Sequence, residues 1–211
     1  MRLGTYYRWH LLRRLGLHRE CGRVLDIGCF DVFWSASLEG AERHGVDVDV
    51  QPIHPAVRYV RGDGARLPFR DGVFDTVFAI DVIEHVPDER ELIVEALRVL
   101  RPGGRAIMTT PNSTISVFPK VLQPWIDRQW GHHRLRGFSV SYLKGLLEEL
   151  PLSDMSVTPL AIGALRWVYL PLTFLWRLPG PFGPWLVGAA AAWDSRHLVG
   201  ERGSLLIQVT R

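Results

Sequence analysis

The chain has 211 residues, 47% hydrophobic and 22% charged, a balance that supports one packed α/β domain with short additions and excludes disordered, collagen-like and coiled-coil chains. Lys and Arg number 25 against 22 Asp and Glu, a net charge of +3. That is too mild to make nucleic acid the expected partner, because nucleic-acid binders concentrate far more positive charge on one face.

The local excess is more informative than the total. Arg2, Arg8, Arg13, Arg14, Arg19 and Arg23 crowd the amino end against Glu20. Residues 5 to 17 read as a short helix with Tyr7, Leu11, Leu12 and Leu15 on one side and arginines elsewhere, able to pack on the domain or lie on a membrane. The arginines interrupt every candidate apolar run, so no secretory signal is expected there and a cytoplasmic location follows. Residues 1–20 are therefore read as a basic amphipathic helix preceding one domain over 21–211.

From Arg23 to Arg105, short β-like runs alternate with helical stretches. The runs are Val24 to Ile27, His44 to Val48, Arg58 to Val60, Thr76 to Ile80 and Ala106 to Thr110. Such alternation argues for a parallel sheet covered by helices. Asp88 and Glu91 have capping-box spacing ahead of an apolar stripe, Leu92, Ile93, Ala96, Leu97 and Leu100, and Pro102-Gly103-Gly104 is expected to end that helix. Ser139 opens another helix reaching about Leu150, and Leu205 to Thr210 reads as a closing strand. Cys21 and Cys29 flank the first strand and cannot complete a zinc shell, so both read as reduced apolar side chains.

The first strand runs into Gly28-Cys29-Phe30-Asp31-Val32 and then a helix from Phe33 to Leu38. A strand, Gly turn and helix place backbone N–H groups at the crevice outside the strand's carboxyl end. Asp47 follows about twenty residues later, the distance at which an acidic side chain meets ribose hydroxyls. A nucleoside-bearing ligand is thereby suggested. A lone Gly at a strand end and a solvated turn aspartate are the ordinary alternatives.

Four further blocks in fixed order sharpen this. With Val24-Leu25-Asp26-Ile27-Gly28-Cys29 stand Gly45-Val46-Asp47-Val48-Asp49, Gly62-Asp63-Gly64-Ala65-Arg66-Leu67-Pro68-Phe69, Asp81-Val82-Ile83-Glu84-His85-Val86-Pro87-Asp88 and Leu100-Arg101-Pro102-Gly103-Gly104. In these residues the chain resembles the class I S-adenosylmethionine-dependent methyltransferases, in particular their quinone-biosynthesis and small-molecule branch. The resemblance implies a doubly wound, Rossmann-like α/β fold with a seven-stranded sheet and one antiparallel strand near the carboxyl end. It implies that S-adenosylmethionine is bound by Asp26, Gly28, Cys29 and Phe30 around its methionine part. Asp47 and Val48 would meet the ribose, Asp63 and Gly64 the adenine, and Asp81 would lie beside the reactive centre. Asp26 is alternatively a residue that orients the turn, and Leu67-Pro68-Phe69 is read as packing. The chain departs from the family's Gly-x-Gly-x-Gly, since Phe30 and Val32 replace two glycines, either reshaping the cofactor pocket or weakening it.

An oxygen acceptor must lose its proton, so a base is useful. The candidates are His85, or His132 and His133 in Gly-His-His-Arg, the latter pair resembling the family's histidine before its next helix. His85 reads equally as a helix-entry residue hydrogen-bonded to the backbone. No carboxylate or Cys cluster accompanies the histidine pair, so no metal is expected. The segment 111–138 is long for a connection and carries Phe118, Trp125 and Trp130, which reads as an acceptor-side lid or as packing on the sheet edge.

The segment at about 160–200 is apolar, with Trp167, Trp176, Trp185 and Trp193, four prolines, and Arg166 and Arg177 as the only charges up to Trp193. Its longest uncharged stretch is shorter than the about 20 residues of a membrane span. It reads as an element dipping into a bilayer face, a cap over a greasy acceptor pocket, or a dimer surface. All three favour a lipid-like or lipid-linked acceptor. The expected activity is O-methylation of such an acceptor with S-adenosylmethionine. The alternative is a catalytically inactive methyltransferase-like protein bound peripherally at a membrane.

Overall fold

A computed structural model describes residues 3–19, 22–30, 33–38, 41–49, 54–114, 121, 137–161, 182–196 and 203–211. In chain order the elements are α1 (Leu3–Arg14), a 3-10 turn (Leu17–Arg19), β1 (Gly22–Ile27), α2 (Phe33–Ser37), β2 (Ala41–Asp47), β3 (Arg58–Arg61), β4 (Phe74–Ile80) and α3 (Glu89–Val99). They are followed by β5 (Leu100–Pro111), α4 (Val140–Glu148), β6 (Asp154–Ala161), α5 (Phe182–Asp194) and β7 (Gly203–Thr210).

The seven strands form one sheet in the order β3-β2-β1-β4-β5-β7-β6. β1 pairs in parallel with β2 and β4, and β7 runs antiparallel to both β5 and β6. This is the doubly wound sheet expected, with its one reversed strand lodged between two others. The chain reverses its lateral direction at the β1/β4 pair, the place in such a sheet where the crevice outside the carboxyl ends opens.

Alternation along the central strands builds two apolar layers. Val77, Ala79, Ala106, Met108, Leu205 and Ile207 pack with α3 and α4, where Leu92, Ile93, Ala96, Leu143 and Leu147 are buried. Phe78, Ile107 and Leu206, one residue out of phase, pack with Tyr7, Leu11 and Leu12 of α1 and Val187 and Ala191 of α5. The face of α1 thus includes Tyr7, Leu11 and Leu12 as expected. It also includes Arg8, which is buried, while Leu15 is only partly covered.

Asp88 caps α3 by accepting from the Arg90 and Glu91 N–H groups. That helix ends at Val99, three residues before Pro102-Gly103-Gly104. Leu100 is already extended, at φ −72° and ψ 139°, and pairs with Phe74. Pro102-Gly103-Gly104 therefore lies inside β5, a correction to the expected terminator. Two elements had not been anticipated. β6 occupies the sheet edge, and α5 lies within the proline-bearing apolar segment.

Candidate functional site

The carboxyl ends of β1 to β4 converge on one edge, and backbone bonds lock their loops together. The Gly28 N–H donates to Val46 O at 2.8 Å, and the Cys29 N–H reaches the same carbonyl at 3.4 Å. The Gly62 N–H donates to Asp47 O at 2.9 Å. Gly28 has φ +71°, and a Cβ there would stand 2.4 Å from Val82 Cγ2. Glycine at 28 is thus required both by conformation and by the close approach of the loop after β4.

Asp26 is buried on β1 and accepts a short hydrogen bond from Ser35 Oγ, which ties its carboxylate to α2. Cys29 is buried with Val57, its Sγ closing the space beside Gly45. Phe30 is exposed at the turn. Asp47 ends β2, and its Oδ1 accepts from the Asp49 N–H at 3.0 Å. Tyr59 Oη donates to Asp47 O at 3.3 Å and to Asp49 O, and Arg61 Nε donates to Val48 O at 2.9 Å. The exposed Val48 is thereby fixed through its backbone.

Asp63 and Gly64 form the turn after β3. Asp63 Oδ1 accepts from the Ala65 N–H at 2.9 Å, and a Cβ on Gly64 would come 2.9 Å from Ile27 Cγ2. From α3, Arg98 donates to Leu67 O, Phe69 O and the carboxylates of Asp71 and Glu95. Glu95 also accepts from the Leu67 N–H at 2.8 Å. Hydrogen bonding from Arg98 holds the Glu95 carboxyl below its ordinary range, so this clamp on the loop is ionised at neutral pH. Phe69 packs edge-on to His44 and Phe74.

Beyond β4 the structure shows a polar cluster of which sequence reading placed only Asp81 at the site. Asp81 has φ +54° without being glycine. Its N–H donates to Thr109, whose Oγ1 donates back to Asp81 Oδ1 at 2.9 Å. Arg8 Nε lies 3.1 Å from Asp81 Oδ2, and the same guanidinium donates to Ser204 Oγ on β7. Glu84 is fully buried. Its Oε2 accepts from Thr110 Oγ1 at 3.0 Å, while its Oε1 meets no hydrogen-bond partner among the described residues. Burial first, and the neighbouring Asp81 charge second, push the Glu84 carboxyl well above its ordinary range.

Neither Arg8 nor Glu84 was singled out from sequence. Two carboxylates three apart after a strand were a signal for Glu84; nothing in a basic amino-terminal run marked Arg8. His85 is exposed beside this cluster, and its backbone N–H donates to Val82 O at 2.8 Å. His132 and His133 lie outside the described residues, as do Val32 and most of the expected lid. The two ends of that segment are joined, the Phe138 N–H donating to Pro111 O at 3.0 Å and the Ser113 N–H to Phe138 O at 2.9 Å. Among the described residues no cluster of three metal-ligating side chains occurs.

The site offers carboxylates at the ends of β2 and β3, glycine turns that admit close approach, and one orphaned buried carboxyl oxygen. Comparison with known proteins gives the relatives of the chain that carries this site. The family described as a methyltransferase domain matches residues 25–108. An uncharacterized methyltransferase of Mycobacterium sp. (strain KMS) is 44% identical over 94 residues, covering 41% of this chain and 37% of that protein. The chain thus matches little more than a third of the length of that curated relative. The ubiquinone biosynthesis O-methyltransferase of Cronobacter sakazakii is 28% identical over 177 residues, covering 75% of this chain and 70% of that one. The same fold occurs in a SAM-dependent methyltransferase of Thermotoga maritima described as a possible histamine N-methyltransferase. Its TM-score is 0.64 at 18% identity, covering 99% of this chain and 91% of that one.

Proposed function

Residues 25–108 form a methyltransferase domain of the class I S-adenosylmethionine-dependent type, and from that premise we propose that the chain methylates an oxygen of an apolar, lipid-like or lipid-linked acceptor. The observation that carries the cofactor reading is the junction of the β2 and β3 loops through Asp47 O and the Gly62 N–H. It joins the turns that carry Asp47 and Asp63, each carboxylate being held by a backbone N–H of its own turn. Preorganised acceptors of this kind suit the hydroxyls and amino group of an adenosine.

S-adenosylmethionine supplies an activated methyl group on a sulfonium sulfur. The chain's part is to bind and orient. Asp47, beside Val48, accepts from ribose hydroxyls, Asp63 and Gly64 border the adenine, and Asp26, Gly28, Cys29 and Phe30 shape the turn around the methionine part. Asp81 stands at the reactive edge, where the Arg8 guanidinium balances its charge. Removal of the acceptor proton falls to an imidazole, that of His85 or those of His132 and His133.

The apolar acceptor is supported by the tryptophan-rich segment between β6 and β7 and by the similarity to a ubiquinone biosynthesis O-methyltransferase. A soluble nucleoside cofactor and an apolar acceptor meet at the cytoplasmic face of a membrane, which is where this reading places the chain.

Calorimetric titration with S-adenosylmethionine, S-adenosylhomocysteine and NAD tests it. The first two should bind with dissociation constants on the order of micromolar and NAD should not. Asp47→Ala should weaken both by about 10- to 100-fold, through loss of charge-assisted hydrogen bonds. No binding of either nucleoside would overturn the reading. With methyl-labelled cofactor, label entering an organic-phase phenol or quinol supports the acceptor class, and label found only in water-soluble acceptors sinks it.

A further inference from the structure

Helices α1 and α5 lie side by side on one face of the sheet. Tyr7 Oη donates to Asp194 Oδ2 at 2.6 Å, and a Cβ on Gly188 would come 3.4 Å from the His10 ring. As the first helix advances from Tyr7 to His10, its contact on the second moves back from Asp194 to Gly188, so the two are antiparallel. One flank of each is committed to the sheet through Leu11, Leu12, Val187 and Ala191. The opposite flanks therefore face outward together.

That outward surface is aromatic and basic. Phe182, Trp185 and Trp193 are 58%, 64% and 59% exposed. At helical spacing they fall within about 80° of arc on α5. The Phe182 and Trp185 rings stack with centroids 6.1 Å apart. Residues 3–19 contain no acid, and the only acid in 182–196, Asp194, is buried against Tyr7. Arg14, Arg19 and Arg196 are exposed, and the Arg13 guanidinium stands 5.0 Å over the Trp9 ring. The antiparallel pairing brings Arg13 and Arg14, the last turn of α1, to the end of α5 that carries Phe182 and Trp185.

We propose that this α1–α5 face docks on an anionic lipid bilayer, with Phe182, Trp185 and Trp193 entering the headgroup boundary and Arg13, Arg14 and Arg196 meeting lipid phosphates. Exposed aromatics flanked by arginine, with no exposed acid among residues 3–19 and 182–196, match an interfacial helix on a negative surface. A second copy of the chain fits less well, because a self-complementary contact would bring together two copies of one basic face whose only described acid, Asp194, is buried. Among the described residues no helix is long and apolar enough to cross a membrane. The 13 residues of α5 span about 20 Å against a core of about 30 Å, which fits an element lying in the plane. The same α1 carries Arg8 to Asp81, so the docking face adjoins the reactive edge. The proposal is independent of the acceptor reading, since cofactor binding is measured without lipid.

Co-sedimentation with phosphatidylglycerol/phosphatidylcholine vesicles, and with phosphatidylcholine alone, tests it. The protein should pellet with the anionic vesicles, and less so as salt rises. Phe182→Ser/Trp185→Ser should lower binding at least about tenfold, and Arg13→Gln/Arg14→Gln about fivefold per arginine. Both variants alter exposed or partly exposed side chains, so melting temperature and cofactor affinity should hold. Absent vesicle binding, or equal pelleting of variants and parent, overturns the proposal. A parent dimer that Phe182→Ser/Trp185→Ser makes monomeric, without change in vesicle binding, overturns it in favour of a contact between copies.

Discussion

Arg8 Nε lies 3.1 Å from Asp81 Oδ2, joining the first helix to the residue that follows β4 in a left-handed conformation at φ +54°. Such a conformation in a non-glycine residue costs about 1–2 kcal/mol and persists where neighbours over-determine it. Here Thr109 holds the backbone N–H and donates to Oδ1, and Arg8 Nε donates to Oδ1 at 3.2 Å while standing 3.1 Å from Oδ2.

Removing the guanidinium would leave Asp81 beside Glu84 with no neutralising partner in this cluster. Arg8→Ala should therefore cost about 2–3 kcal/mol, below the range for fully buried pairs because the Asp81 side chain remains 29% exposed. Arg8→Lys restores the charge but not the fork that also reaches Ser204, and should recover part of the loss. Urea unfolding of the three proteins measures this, and equal midpoints for Arg8→Ala and parent would remove the pair's structural weight.

Gly28 should be intolerant for two separable reasons. Gly28→Ala places a side chain at φ +71° and 2.4 Å from Val82 Cγ2, for a combined cost of about 2–4 kcal/mol. Val82→Ala opens the space and leaves the backbone cost. In the Val82→Ala background the glycine substitution should thus be milder by about 1 kcal/mol. A double-mutant cycle by denaturant titration checks it, and a coupling of zero would assign the whole cost to conformation.

Glu84 sets a pH dependence whose sign is opposite to that of an ordinary ion-paired carboxylate. Its folded-state carboxyl is raised above its unfolded value by burial and then by Asp81. Between those two values the native state holds a proton that the unfolded chain has lost, so stability falls as pH rises through that window. Glu84→Gln keeps an oxygen for the Thr110 hydroxyl and cannot ionise. It should be more stable than the parent at neutral pH, with the advantage fading as pH drops to the ordinary carboxyl range near about 4.3. Thermal melts of both proteins across pH decide it; parallel curves would show that Glu84 titrates normally.

Much of the architecture could be read ahead of the structure because local chemistry marks it. Asp88 and Glu91 at capping-box spacing identified α3, and short β-like runs alternating with helical stretches identified β1 to β5. β6 escaped because Asp154–Ala161 contains Pro159, which argues against a central strand. An edge strand tolerates it, and β6 is the last strand in the sheet order. The helix α5 escaped for a related reason. Pro184 sits in its first turn, where no intrahelical N–H is needed, so a residue that looked like a breaker starts the helix instead.

By itself the sequence determined a parallel sheet covered by helices, its glycine turn at Gly28 and the carboxylate of Asp47 beyond the second strand, because strand ends and turns are governed by neighbours a few residues away; the doubly wound topology and Asp63 came from the family resemblance. Only the tertiary structure decided that Arg8, 73 residues from Asp81, neutralises it, that Glu84 is buried among these charges, and that α1 and α5 turn a common aromatic and basic face outward. Those relationships depend on which helices the sheet brings together. Pairing across such separations leaves no periodicity or motif in the chain, since it arises from burial and charge balance once the layers have packed.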